Sequence, residues 1–378
     1  MSSVADRHGG VLRAWLEERR EALDPFRRPC GIEDDRRLMR ILFDAGWSRW
    51  GWPEQAGGLG GSAVLRAVLY DELAAAGVRI PEPFVLLETL GPVLTRYAPE
   101  LAGRHLTDYL SGERLWGQGF SEAEAGSDLA SVRTRARQDG DGFVLNGHKL
   151  WTTLGQFARW AAVLARTGAL DSGHRGLSLL WVDLTAPGVT VRPIRAANGR
   201  DEFAEMYFDD VRVPAGHLIG GVDEGWAVAM YLLQFERGTY AWLRQAVLHH
   251  RIGTIAATAP EGAGRTRLAS LGRAHLAATA LRAKSRGTVH RLAAGLNPGP
   301  LISVDKLLLS RAEHAVFDAA RRLRWADLAL SDDEEAAALR AEWFCSRASS
   351  IFGGAAEVQR DIVADHVLAL PKGDRRGR

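Results

Sequence analysis

The chain has 378 residues, enough for two or three domains and a large hydrophobic core. Its 48 lysine and arginine residues nearly balance its 46 aspartate and glutamate residues, giving a net charge of +2, and hydrophobic residues make up 46% of the sequence. This composition excludes a disordered chain and a strongly cationic nucleic-acid-binding protein, and it favours a small-molecule partner.

The sequence contains no secretory signal pattern and no run of about 18 apolar residues, so we expect a cytoplasmic protein without a membrane partner. Cys30 and Cys345 lie far apart, without the spacing of a zinc site, and we expect free thiols and no metal. Lysine occurs at only four positions, and nearly all the positive charge is arginine. We attribute this excess to coding bias and infer no function from it.

Residues 11–115 are predicted to form helices, because apolar residues recur every three or four positions. Leu12 and Leu16 share one such face, as do Leu38 and Leu42. Residues 51–61 contain too many glycines for a helix and are predicted to form a connecting loop. The first third of the chain is therefore expected to be a helical domain, residues 1–115.

The periodicity changes to alternation from about residue 116, which predicts a β domain over residues 116–225. Strands are expected at 132–136, 143–145, 161–165, 177–182, 189–192 and 205–208. Asn146-Gly147 is a typical tight-turn pair, and it predicts a turn after 143–145. The pattern favours an antiparallel barrel or sandwich, and the lack of βαβ alternation argues against a Rossmann domain.

Long helical patterns return after residue 226, and they predict a four-helix bundle with a final short helix over residues 226–378. The expected helices are 226–257, 264–294, 302–330, 335–348 and 355–368, the last preceded by a break at Gly353-Gly354. The predicted fold class is therefore a multidomain α+β protein: a helical domain, a β domain and a helical bundle.

Several segments of the sequence match the motifs of a known family. Residues 119–131 and 145–153 closely resemble the flavin-proximal segments of the acyl-CoA dehydrogenase family. Further stretches resemble the family in the same order along the chain: 51–54, 57–60, 208–214, 235–238 and 353–360. The resemblance implies FAD as cofactor and dehydrogenation of an acyl thioester between its α and β carbons. The resemblance also implies an oligomer and an electron-transferring flavoprotein as acceptor, with oxygen as the alternative.

The resemblance assigns roles to residues on the β domain. The backbone around Phe120, Ser121 and Glu122 is expected at the pyrimidine edge of the flavin. Trp151 is expected against its ring and Thr153 near N5. Backbone amides and a strand-borne hydroxyl suit such polar contacts because the sheet fixes them. Ser127, in the Ala-Gly-Ser-Asp stretch, is expected to bind the substrate. Ordinary strand propensity explains Trp151 and the threonines equally well without the flanking matches.

The catalytic base is the most informative position. Many family members have a glutamate in the loop before the last helix, but this chain has Gly353 there. The second family position lies on the first bundle helix, where Glu236 stands, followed by Arg237 as a substrate-binding residue. Burial would disfavour the charged carboxylate and raise its pKa toward the working pH, as a base requires. The N–H of Gly353 is expected to bind the thioester oxygen.

Two elements that grip the FAD diphosphate in the family are altered. Arg265 is expected to contact the cofactor, but the surrounding stretch 259–265 departs from the family pattern, and the resemblance adds Glu357 as a cofactor contact. The family's glycine-rich loop is replaced by the arginine-rich stretch 321–327. Either these arginines bind the diphosphate instead, since guanidinium suits phosphate, or a different subunit supplies the missing part. The arginine cluster is also typical of a solvated helix face, which we favour as its role.

Two alternatives to an acyl-CoA dehydrogenase remain open from the sequence. The first is dehydrogenation of an acyl or aminoacyl thioester tethered to a carrier protein. The second is a catalytically silent subunit of a heteromeric dehydrogenase, favoured by the altered diphosphate elements and opposed by the intact flavin-proximal segments. Replacing Glu236 with glutamine distinguishes an active from a silent subunit.

Overall fold

The computed structural model describes residues 2–28, 31–260 and 262–371 of the chain. Cys30 therefore lies outside the described residues, and the prediction of its free thiol stays a prediction. No helix in the described part is both long and apolar enough to cross a bilayer.

The first third of the described chain is helical, as predicted. Its helices are α1 (Ser2–Glu18), α2 (Ile32–Asp44), α3 (Ala63–Ala75), α4 (Phe84–Tyr97) and α5 (Pro99–Leu110). The predicted loop 51–61 folds back on itself, because the Gly51 N–H donates to Gly60 O at 2.7 Å and the Gly60 N–H donates to Trp52 O at 2.9 Å. This closed loop buries the Trp52 side chain.

The middle of the chain forms an eight-stranded sheet. The strands are β1 (Leu115–Gly119), β2 (Arg135–Asp139), β3 (Gly142–Thr153), β4 (Ala158–Arg166), β5 (Leu177–Asp183), β6 (Val189–Ile194), β7 (Phe203–Pro214) and β8 (Leu218–Ile219). They lie in the order β6-β7-β3-β2-β4-β5-β8, with β1 added alongside β4. Most pairs are antiparallel, as predicted, but β4 runs parallel to both β1 and β2. Alternate residues of β4, β5 and β7 form the sheet's core.

The predicted turn at Asn146-Gly147 is wrong. β3 runs without interruption through both residues, and the turn lies earlier, at Gly140, whose φ is +61°. Gly147 instead sits at a bulge, with φ +149°. A Cβ at Gly147 would lie 2.7 Å from the Thr134 Cα, so the glycine serves close backbone packing and not a reversal of the chain.

The last part of the chain is helical, again as predicted. Its helices are α6 (Gly225–Arg237), α7 (Thr239–Ala257), α8 (Arg265–Ala293), α9 (Ile302–Leu323), α10 (Trp325–Leu330), α11 (Glu334–Ala348) and α12 (Ala356–His366). Two predicted helices are divided. The helix expected over 226–257 breaks at Gly238, and the one expected over 302–330 breaks at Arg324. The first break makes Arg237 the last residue of α6, which matters for the site.

The described chain divides into two compact units that do not follow the sequence order. One unit holds the described residues of Met1–Pro29, Ala63–Ile80 and Glu236–Arg378, and the other those of Cys30–Ser62 and Pro81–Phe235. Thus α1 and α3 belong with the helical bundle, and α2, α4 and α5 belong with the sheet. The predicted boundaries at 115/116 and 225/226 stay predictions.

Polar contacts fix α3 in the bundle unit. The Trp242 indole N–H donates to Ala67 O at 3.1 Å, and Arg282 binds both carboxylate oxygens of Asp71 at 2.9 Å. Such a two-point contact sets the orientation of α3 as well as its distance from α8. The bundle core beside it is aliphatic, with Leu281, Leu309 and their neighbours fully buried.

Candidate active site

The backbone that follows β1 is held by a buried ion pair. The Lys149 ammonium donates to Phe120 O at 3.0 Å and to Glu122 Oε1 at 2.7 Å. The Glu122 carboxylate also accepts from the Arg133 and Thr134 N–H groups at 2.7 and 2.9 Å. This network ties the Phe120 backbone to β3 on one side and to the approach to β2 on the other.

The charges of this pair are shifted by their surroundings. Lys149 is fully buried, and burial lowers its pKa to about 8 against the opposing attraction of Glu122. Burial alone would raise the pKa of Glu122, but the Lys149 charge and the N–H donors outweigh it and lower the pKa. The pair is therefore ionised at neutral pH.

The end of β3 presents an aromatic side chain to solvent. Residues Leu150 and Trp151 leave the ladder with β7, and the Leu150 N–H donates to Ser121 O at 2.9 Å. Trp151 has φ +62° and is 56% exposed, with its ring edge-on to Phe203 at 6.0 Å. A large non-glycine residue in this region is strained, and strain of this kind is found where function demands it.

The irregularity at Leu150 and Trp151 is a second bulge of β3, after the one at Gly147. This second bulge brings together four predicted residues on the sheet-containing unit. Ser121 is bonded directly to the bulge, Phe120 is bonded to the neighbouring Lys149, and Thr153 re-enters the ladder opposite Phe203. The bulge turns Trp151 outward, while Thr153 is partly exposed. The arrangement offers a flat aromatic surface beside a hydroxyl and backbone polar groups.

Ser127 lies apart from this bulge, on an exposed turn. The segment after it is anchored by Arg166, which is buried and donates to Ala130 O at 2.7 Å and to Val132 O at 3.0 Å. Arg166 also bonds Gly173 O at 3.0 Å. A single fixed guanidinium thus sets the path of the chain that follows Ser127.

The bundle unit contains the second cluster. Glu236 lies in the last turn of α6, and its carboxylate is directed at Gly353 in the loop before α12. Gly353 has φ +64°, and a Cβ built there would lie 2.8 Å from Glu236 Oε1. The carboxylate therefore lies against the point where a side chain at position 353 would begin. Its other oxygen, Oε2, is buried and has no hydrogen-bond partner within the described residues.

Arg237 and Gln359 flank the neighbouring glycine. A Cβ at Gly354 would touch Gln359 Nε2 and would lie 3.2 Å from an Arg237 terminal nitrogen. The fully buried Gln359 amide and the Arg237 Nε have no partner in the part of the chain that the structure describes. Burial lowers the pKa of Arg237, and the Glu236 charge opposes this. Unpaired buried polar atoms gathered at one loop are typical of a ligand site.

The predicted cofactor residues Arg265 and Glu357 are not part of this cluster. Arg265 is the exposed first residue of α8, and Glu357 is exposed on α12, where its carboxylate lies 3.3 Å from Arg360. The structure records no contact that brings Arg265 and Glu357 together in the described residues.

The arginine-rich stretch at the end of α9 makes contacts of its own. Arg324 lies 2.5 Å from Glu335, and Arg321 lies 4.0 Å from Asp318, while Arg322 is exposed. Arg324 is therefore paired with a carboxylate of the same unit, whereas Arg321 stays about half exposed. This favours a structural role for Arg324.

Sequence reasoning missed Lys149, Lys306, Gln359 and Arg166. Lys306 is 3% exposed, and its ammonium donates to Ser349 O at 2.8 Å. One signal was present, because lysine is rare in this arginine-rich chain and two of its four lysines, Lys149 and Lys306, are buried. A compact ammonium fits such sites better than a guanidinium, so a rare lysine in an arginine-rich chain indicates a buried cation site.

Comparisons with known proteins agree over the length of the chain. Family models of the acyl-CoA dehydrogenase N-terminal, middle and C-terminal domains match residues 13–113, 117–211 and 223–368. The chain is 36% identical over 355 residues to acyl-CoA dehydrogenase IpdE1 of Mycobacterium tuberculosis, covering 92% of this chain and 91% of that protein.

Two solved structures share the architecture. The Tcur3481-Tcur3483 steroid ACAD matches with a TM-score of 0.85 and 27% identity over 98% of each chain. The ChsE4-ChsE5 complex from Mycobacterium tuberculosis matches with a TM-score of 0.78 and 27% identity, also over 98% of each chain. The similarity thus extends through the helical, sheet and bundle parts alike.

Proposed function

The chain belongs to the acyl-CoA dehydrogenase family and dehydrogenates an acyl-CoA, and from this premise we propose that Glu236 is its catalytic base. One observation carries the proposal: the Glu236 carboxylate lies against Gly353, with one oxygen buried and without a partner in the described residues. A carboxylate oxygen whose lone pairs are not engaged can accept a proton from a substrate. Gly353 has no side chain that could take this role.

The Gly353 N–H is proposed to bind the thioester oxygen of the substrate. No backbone hydrogen bond from this N–H is formed within the described chain, whereas the neighbouring Phe352 and Ala356 N–H groups donate to Ala348 O and Ser350 O. An N–H donor at this oxygen stabilises the negative charge that develops as the α-proton leaves. Glu236 takes that proton onto its carboxylate while Gly353 holds the oxygen. Arg237, whose Nε is buried without a partner in the described residues, is proposed to bind the substrate.

The family is generally FAD-dependent, and the bulge of β3 fits a flavin. Trp151 combines a mostly exposed indole with a strained backbone, and a flat aromatic ring would cover that surface. We propose that Trp151 packs on the flavin, that Thr153 contacts its polar edge, and that the Phe120 and Ser121 backbone holds its pyrimidine end. FAD, when bound, supplies the acceptor for the hydride from the β-carbon.

The adenosine diphosphate half of FAD is proposed to need a second, different subunit. Arg265 is retained as a contact, but a carboxylate repels a diphosphate, so Glu357 could contact FAD only away from its phosphates. Arg324 is paired with Glu335 of its own unit. One solved relative is the ChsE4-ChsE5 complex, and the other carries the paired name Tcur3481-Tcur3483. The FAD content of the chain, purified alone and co-expressed with a homologous subunit, tests this: equal full loading in both would contradict it.

The proposed substrate class is an acyl-CoA with a bulky polycyclic acyl group. The support is the steroid ACAD, which is 27% identical over nearly the whole chain. Ser127 is proposed to bind the extended arm of the substrate. The test compares straight, branched and ring-bearing acyl-CoA thioesters, measured anaerobically by bleaching of the flavin absorbance. Ring-bearing esters should bleach it fastest, and bleaching only by a carrier-tethered thioester would favour the alternative substrate.

The Glu236→Gln variant tests the base and separates an active from a silent subunit. We expect about a 100- to 10,000-fold loss of rate with flavin retained, because general-base catalysis contributes this much. Glu342→Gln is the matched control, since Glu342 is a partly buried glutamate of the same unit, paired with Arg251 at 2.8 Å. An unchanged rate for Glu236→Gln in the assembled complex would exclude Glu236 as the base and favour the silent-subunit alternative.

A further inference from the structure

Lys306 is a buried cation beside the cluster of Glu236, Arg237 and Gln359 in the bundle unit. It lies on α9 and is 3% exposed. Its ammonium donates to Ser349 O at 2.8 Å and lies 4.7 Å from the centre of the Phe352 ring. Both partners belong to the segment that leads from α11 to Gly353. Lys306 therefore holds the loop that carries the proposed oxyanion donor.

The same ammonium lies close to the proposed base. The point at which a Cβ of Gly353 would stand is 3.6 Å from Lys306 Nζ and 2.8 Å from Glu236 Oε1. The ammonium and the carboxylate thus border the same small space. Burial lowers the pKa of Lys306 to about 8, and the negative charges of Glu236 and Glu313 oppose this shift.

The other charged groups around Lys306 and Glu236 leave this pairing intact. Glu313 is bound at both oxygens by Arg244, at 2.7 and 3.1 Å, so its charge is already compensated. Arg237 extends toward Gly354 and lowers the pKa of Lys306. Tyr240, whose pKa is raised mainly by burial, is neutral at the working pH. Lys306 is therefore the ammonium that faces Glu236 across Gly353.

We propose that Lys306 is a positioning residue for the dehydrogenation: it fixes the Gly353 loop and places its positive charge beside the Glu236 carboxylate. This inference rests on the proposed function, because it assigns no role to Lys306 apart from the base. Lys306 itself does not touch the substrate.

The test is the pH dependence of kcat/KM of the holoenzyme, with its partner subunit where FAD loading requires one. Lys306→Met removes the charge and the hydrogen bond, whereas Lys306→Gln removes the charge and keeps a donor for Ser349 O. A positive charge beside a carboxylate favours the ionised form of that carboxylate. We therefore expect the acidic limb of kcat/KM to move to higher pH in both variants.

Lys284→Met is the matched control, because Lys284 is a lysine of the same bundle that pairs with Asp305 at 2.5 Å. Its acidic limb should coincide with that of the wild type. An acidic limb at the wild-type pH in Lys306→Gln would overturn the proposal, whatever the effect of Lys306→Met on stability. The proposed function fails separately, if Glu236→Gln retains the wild-type rate.

Discussion

Alanine at position 353 should disable the enzyme without unfolding it. The Gly353 backbone has φ +64°, and a Cβ there would lie 2.8 Å from Glu236 Oε1, closer than real Cβ contacts allow. The carboxylate is the end of a flexible side chain, so it would yield and move away from the loop. The proposed base would then lie out of reach of the proton that it must remove.

The size of the effect follows from two separate terms. A left-handed conformation costs a non-glycine residue about 1–2 kcal/mol, and the reduced freedom of the unfolded chain offsets about 0.4–1 kcal/mol of this. The net loss of stability should be about 1 kcal/mol. Displacing a reacting group by about 1 Å costs about 100-fold in rate, so we expect the rate to fall by about that factor.

Gly299→Ala is the control for backbone strain. Gly299 has φ +62°, nearly that of Gly353, and a Cβ there would meet no heavy atom within 4 Å. Both variants should therefore show similar melting temperatures and FAD contents. The assay is acyl-CoA dehydrogenation with an artificial electron acceptor, in which only Gly353→Ala should lose about 100-fold. Equal rates for the two variants would refute the placement of the base against Gly353.

Three further predictions concern Lys149, Arg166 and Lys306. Lys149→Met leaves the Glu122 carboxylate without its cation, so the melting temperature should fall by several degrees. The Phe120 backbone then loses its anchor, and FAD should be released on gel filtration. FAD retention equal to that of Lys284→Met would contradict a role of the Lys149–Glu122 ion pair in holding the flavin. Arg166→Lys cannot make the two guanidinium hydrogen bonds to Ala130 O and Val132 O. If these bonds position Ser127 for substrate binding, KM should rise severalfold at unchanged kcat. An unchanged KM would argue against that role. Burial lowers the pKa of Lys306 from 10.5 to about 8, so the unfolded chain binds more protons than the folded chain between these pH values. The melting temperature of the wild type, relative to that of Lys306→Met, should therefore rise from pH 8 to pH 10. A flat or falling difference between the two melting temperatures would contradict the lowered pKa.

The succession of helices, sheet and helices was predictable because periodicity is a local property of the sequence. The errors arose where distant backbone decides local structure. Asn146-Gly147 has the composition of a turn, yet position 147 needs a glycine for another reason. A Cβ there would collide with the backbone of Thr134. Likewise, the apolar pattern runs across Gly238 and conceals the break that ends α6 at Arg237.

The candidate site was predictable to the extent that motifs carried it. Glu236 and Gly353 were predicted separately from resemblance, and the structure brings them together over more than a hundred residues of sequence. Lys306 and Gln359 could not be assigned, because only the packing of α9 and α12 brings them to this loop. The rarity of lysine was visible in the sequence, but its meaning depends on burial.

The central claim is that Glu236 removes the α-proton, and exchange of that proton tests it most directly. An acyl-CoA substrate is incubated anaerobically with the holoenzyme in D₂O, and deuterium at the α-carbon is followed by mass spectrometry. The wild type and Glu342→Gln should exchange the α-proton rapidly, and Glu236→Gln should exchange it at least about 100-fold more slowly. Exchange by Glu236→Gln at the wild-type rate would show that another group is the base.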